Sequence, residues 1–150
     1  MFNSEQEMSI TFEKYLKKTF GNSFVKEQQG LFGIPDFVLY EKKKNNMAVI
    51  SFELKLKNWK KAAQQAFRYR SFSNIVYVVI ESQGVKAAMK NIDMFIKYNI
   101  GLASFEKDNG FTFVFKPKVS EPYSDTLRNK FINEIPTKKN KTKNFEMLAA

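Results

Sequence analysis

The sequence predicts an α/β fold, a mixed β-sheet flanked by helices, in a chain of 150 residues. Three observations carry that expectation. Residues 47–56 alternate strictly, with Ala48, Ile50, Phe52, Leu54 and Leu56 on one face, as a strand with one apolar side requires. Helical-period segments at 59–72 and 83–98 separate the later strands, and such crossovers bring parallel strands together. The lysine-rich stretch 42–46 joins two earlier strands as an antiparallel hairpin.

Taken in order, residues 4–20 read as a helix. Ser4 and Glu7 match a capping box, Met8, Phe12, Tyr15 or Leu16, and Phe20 recur at helical spacing, and Gly21-Asn22 stops it. A short strand is expected at 24–27 and a second at 36–40, beginning after Pro35 because proline has no N–H for the ladder. In the strand over 47–56, Val49, Ser51, Glu53, Lys55 and Lys57 form the second face, so Glu53 and Lys55 are expected to point away from the main core. A one-residue slip would then bury both charges, which fixes the register. Asn58 caps the helix over 59–72, with Ala62, Gln65, Ala66 and Tyr69 on one side. The apolar run 75–80 suits a buried strand. A single amphipathic helix is expected over 83–98, with Val85, Ala88, Met89, Ile92, Phe95 and Ile96 inward. Two more strands, 100–105 and 111–115, flank an Asp108-Asn109-Gly110 turn. A short helix is expected within 122–135, followed by a lysine-rich tail; residues 145–150 either dock or fray.

Composition removes much chemistry. With neither cysteine nor histidine, disulfides, thiolate or imidazole zinc sites, cysteine nucleophiles and Ser-His-Asp catalysis are excluded. Any metal must be held by oxygen, which points to magnesium, manganese or calcium. The net charge of +10 fits a polyanionic partner, nucleic acid being the commonest. No signal peptide and no membrane span are read, so a cytoplasmic location is expected.

One stretch concentrates the remaining chemistry. Asp36 opens a strand, Glu53 and Lys55 sit two apart on the next, and Gln65 and Tyr69 lie one turn apart on the following helix. Two carboxylates on adjacent strands can hold a hard divalent cation, and a lysine beside them can orient a water or offset charge on a phosphoryl group. Singly, each piece has a plainer explanation: a turn aspartate, a surface ion pair, polar residues on a packed helix.

Together they resemble the PD-(D/E)xK nuclease superfamily, whose fold is restriction-endonuclease-like. Asp36 after Pro35 matches its first acid, Glu53-Leu54-Lys55 its ExK, and Gln65-Ala66-Phe67-Arg68-Tyr69 its Q-x-x-x-Y. The resemblance covers roughly residues 4–81. It implies a metal-dependent DNA endonuclease using Mg2+ or Mn2+, with Asp36, Glu53, Lys55 and Gln65 catalytic and Tyr69 supporting. It implies Asp36 and Glu53 as metal ligands joined by a first-helix glutamate; Glu13 is the best match, Glu5 and Glu7 poorer ones. Residues 1–117 would form the nuclease core and 118–150 a basic extension. Length, motif spacing and that extension look similar to the cyanobacterial intron-encoded homing endonucleases of this fold, which implies a homo-oligomer, dimer or tetramer, cutting double-stranded DNA. Restriction, junction-resolving or repair nucleases of the same fold are alternatives, as is a non-catalytic nucleic-acid-binding module, against which the intact Asp36, Glu53 and Lys55 argue.

Seven lysines and two glutamates lie between Glu41 and Lys61, around the ExK face. Lys42, Lys43, Lys44, Lys57, Lys60, Arg68 and Arg70 are the expected DNA contacts, holding phosphates in a salt-dependent way. The run from Lys138 to Lys143 reads as a DNA-clasping arm or a solvated tail.

Overall fold

In the computed structural model, which describes residues 1–43, 46–108, 110–135 and 142–150, a six-stranded sheet runs in chain order. Its strands are β1 (Phe24–Lys26), β2 (Phe37–Lys43), β3 (Asn46–Lys55), β4 (Ile75–Glu81), β5 (Gly101–Glu106) and β6 (Gly110–Phe115). The first three are antiparallel, β3–β4 and β4–β5 are parallel, and β6 returns antiparallel. The mixed α/β sheet is as expected: each helical crossover gives a parallel neighbour, and consecutive strands with no helix between them pair antiparallel.

Helix α1 (Glu5–Phe20) covers one face. Ser4 Oγ accepts from Glu7 N, 3.1 Å, while the Glu7 carboxylate turns to Asn3 and Lys107, so only half of the capping box forms. Met8, Phe12, Leu16 and Phe20 are buried against Phe37, Leu39, Ile50, Phe52 and Phe105. Phe12 is central, with ring centroids of Phe37, Phe52 and Phe105 at 5.3–5.4 Å. Truncating such a side chain costs about 3–5 kcal/mol.

The other face carries α2 (Trp59–Tyr69), α3 (Val85–Met89), α4 (Ile92–Tyr98) and α5 (Asp125–Glu134). Ala62, Ala66, Tyr69 and Phe72 pack on Val76, Val78 and Ile80, and Phe131 and Ile135 on Val38, Met47 and Val49. Here the structure corrects the expectation for β3. Its second face is not solvated: Val49, Ser51 and Glu53 are buried beneath helices, and the native register itself buries Glu53.

A second correction concerns residues 83–98, which form two helices. Asn91 N donates to Ala88 O, and Asn91 Nδ2 takes Ala87 O at 3.0 Å, the carbonyl that a continuous helix would pair with the Asn91 amide. A side chain competing with its own backbone ends the helix. The break changes the phase, leaving Met89 and Ile96 exposed and bringing Met94 onto the core.

The C-terminal residues dock. Leu148 is buried beside α1, its carbonyl accepts from Tyr77 Oη at 2.6 Å, and Thr142 Oγ1 donates to Tyr40 O. Residues 136–141, most of the lysine-rich arm, lie outside the described residues. Among the described residues no helix is long and apolar enough to cross a membrane.

Candidate active site

The carboxyl end of β3 is where the conspicuous residues converge. Asp36 N donates to Phe52 O at 3.1 Å, extending the β2–β3 ladder, and Asp36 Oδ2 accepts from Leu54 N at 2.7 Å. With Phe37 paired to Phe52, Asp36 stands opposite Glu53. Glu53 is 3% exposed. Its Oε1 lies 2.6 Å from Tyr69 Oη and its Oε2 4.0 Å from Lys55 Nζ, which is also 3.7 Å from Glu5 Oε1. Tyr69 Oη is in addition 3.0 Å from Ile34 O.

Electrostatics follow from this crowding. Burial, with the neighbouring Asp36 charge second, pushes Glu53 up to about 8, against donation from Tyr69 and the charge of Lys55. Burial pushes Asp36 up to about 6, opposed by the Leu54 N–H and by Lys55. Burial and then Glu53 hold the Tyr69 phenol well above its ordinary range. Tyr69 has a single proton for two acceptors. Glu53 Oε1 and Ile34 O are thus two acceptors sharing one donor. The site is therefore short of positive charge, and a cation would let both carboxylates ionise.

Gln65 lies one helical turn before Tyr69 on α2, and among the described residues its buried Oε1 has no hydrogen-bond partner. Among the described residues no group of three or more acids gathers as a metal cage. Two carboxylates and an orphan amide oxygen suit a hard cation that keeps several waters, as magnesium does.

The structure thus brings together Asp36, Glu53, Lys55 and Tyr69, while Gln65 is placed only as one turn before Tyr69 on α2. It does not bring Glu13. That carboxylate bonds Lys26 at 2.9 Å and Lys17 at 3.2 Å, and eight residues separate it from Glu5, about 12 Å along the helix. Glu5, the weaker match in sequence, holds the first-helix position beside Lys55.

Among the expected DNA contacts, Lys57, Lys60 and Arg68 are exposed and Lys42 is half-buried. Lys43 is described only as β2 backbone, and Lys44 lies outside the described residues. Arg70 is corrected: it is 6% exposed, donates to Tyr98 O at 3.0 Å and Ser120 Oγ at 2.5 Å, and serves the fold. Sequence reasoning also missed Ile34 O, since no pattern of side chains announces a backbone carbonyl. Comparison with protein-family models, with curated proteins and with solved structures returns no match, so the site is read from its own geometry.

Proposed function

We propose that this chain is a magnesium- or manganese-dependent endonuclease that hydrolyses phosphodiester bonds in double-stranded DNA. The observation that carries the reading is the buried Asp36–Glu53 pair, held between Lys55 and the Tyr69 phenol at the end of β3. Asp36 and Glu53 would hold the cation, with Gln65 Oε1 free to accept from one of its waters. When bound, the cation lowers the pKa of a water and polarises a phosphoryl oxygen.

The chain's own residues do the rest. The Leu54 amide fixes the Asp36 carboxylate, and Tyr69 fixes that of Glu53. Lys55 Nζ donates to the attacking water or to a phosphoryl oxygen, offsetting charge that builds during attack. Exposed Lys57, Lys60 and Arg68 hold flanking phosphates, consistent with the net charge of +10. Paired subunits would serve the two strands of one site in the cytoplasm. The narrower role of site-specific homing rests on the resemblance in length, spacing and basic extension.

Incubation of covalently closed circular duplex DNA with the protein, with and without magnesium, tests the reading. Linear DNA should form only with the metal, and Glu53→Ala or Lys55→Ala should abolish it while DNA binding persists. Undiminished cutting by either variant, or intact circles despite tight binding, would defeat the proposal. Discrete fragments from a longer substrate would mark a site-specific enzyme, and a smear would argue against homing.

A further inference from the structure

Helix α2 has a second working side. Opposite the sheet, Phe32, Trp59, Phe67 and Tyr98 wall a pocket of about 640 Å³, floored by Ala63 and Ile100, with Lys60 and Arg68 among its lining. Three of those rings are substantially exposed: Phe32 at 51%, Phe67 at 42% and Tyr98 at 41%. Exposed apolar rings gathered in one patch and rimmed by polar side chains are the mark of a binding groove, unlike apolar residues scattered singly.

The cations are interleaved with the rings. The Arg68 guanidinium stands 5.6 Å from the Phe32 centroid, and Phe67 meets Tyr98 edge-on at 5.6 Å. Among the described residues no carboxylate lines the pocket. Flat apolar walls with positive charge at their edges match a flat heterocycle attached to a phosphate, whereas an apolar peptide or lipid would leave the charges unanswered.

Two elements tie this pocket to the carboxylate site. The loop that carries Phe32 runs on through Gly33, against the Tyr69 ring, and Ile34, whose carbonyl meets Tyr69 Oη, to Asp36 four residues later. On α2, Phe67 and Arg68 immediately precede Tyr69, and the Arg68 charge is felt at the Tyr69 phenol.

We propose that this pocket receives an unpaired nucleobase of the bound DNA strand, stacked between Phe67 and the neighbouring rings. DNA containing an extruded or single-stranded base is then the preferred substrate class. The inference rests on the nuclease reading and deepens it, yet base capture needs no metal and no cleavage.

Trp59 is the only tryptophan in the sequence and lines the pocket, so its fluorescence reports occupancy. Without divalent metal, an oligothymidylate should quench Trp59 emission and bind about tenfold more tightly than a fully paired duplex of equal phosphate content. Phe67→Ala should weaken oligothymidylate binding about tenfold, the scale of one lost base–aromatic stack. The rings of Phe67 and Phe32 face water, so their removal spares the core; Phe32→Ala should act in the same direction. Equal affinity for single strand and duplex, or binding indifferent to both variants, would overturn the proposal. So would Trp59 emission that changes with protein concentration alone, which would assign the pocket to a second copy of the chain. A protein that cuts circular duplex in magnesium but fails the fluorescence test keeps the nuclease reading and loses the pocket. Quenching without any cutting does the reverse: base capture stands and the nuclease reading falls.

Discussion

Tyr69 Oη lies 2.6 Å from Glu53 Oε1 and 3.0 Å from Ile34 O, so one phenol links α2, the end of β3 and the loop before Asp36. Tyr69→Phe removes the donor that favours ionised Glu53, so the Glu53 pKa rises further. Cleavage that requires Glu53 ionised should keep its plateau while its acid limb moves to higher pH. Stability should fall by about 1–3 kcal/mol, because Ile34 O loses a partner. A pH–rate profile superimposable on wild type would refute this role for Tyr69.

Proton linkage makes a prediction with a definite sign for the metal-free protein. Folding raises Glu53 from 4.5 to about 8 and Asp36 from 3.8 to about 6. Across that window the folded state binds more protons than the unfolded one. The stability these groups contribute is full below about pH 4 and is lost as pH rises through about 8. The urea midpoint should therefore drop between about pH 5 and about pH 8. Glu53→Gln should flatten most of the drop and exceed wild type in stability at the higher pH. If the pair holds magnesium as proposed, the metal should restore wild type there, because a ligand of the folded, ionised pair stabilises that state. A wild-type midpoint that rises relative to Glu53→Gln over the same interval would contradict the burial of these carboxylates.

Glu5 and Glu13 can be separated by activity. Glu5 faces Lys55 at 3.7 Å and adds charge felt at both Asp36 and Glu53. Glu5→Gln should slow cleavage several-fold by loosening Lys55. Glu13 is tied to Lys17 and Lys26 on the surface, and Glu13→Gln should change stability by less than about 1 kcal/mol and leave the rate alone. The opposite ranking in single-turnover cleavage would return the first-helix role to Glu13.

That reversal shows where the sequence was legible. Alternation along β3 told which residues share a face, because period 2 is local, and Asn58, Ser4 and Pro35 marked element ends by local chemistry. What covers each face is set by distant segments. Glu53 was therefore expected to point away from the main core and stay unburied, whereas the helical layer on that face buries it, and that burial is the larger cause of its raised pKa. Choosing among three first-helix glutamates needs the docking angle of α1, which motif spacing does not contain. The division of residues 83–98 turned on one asparagine side chain replacing its own amide, and Arg70 was spent on Tyr98 and Ser120, partners 28 and 50 residues away.

Gly33 tests whether the loop positions Tyr69. Its φ is +83°, and a Cβ there would come within 2.8 Å of Tyr69 Cε1. Gly33→Ala therefore carries two costs, a left-handed backbone of roughly 1 kcal/mol or more and a collision with a ring anchored at its hydroxyl. Gly110→Ala is the matched control: its φ is +72° and none of the described residues lies within 4 Å of the added carbon, so only the backbone cost applies. Urea denaturation should rank Gly33→Ala as the less stable of the two. Only Gly33→Ala should also shift the acid limb of cleavage upward, as Tyr69→Phe does, because the displaced phenol no longer reaches Glu53. If both alanine variants match in stability and pH profile, the ring yields without moving its hydroxyl, and the loop has no hold on the carboxylate.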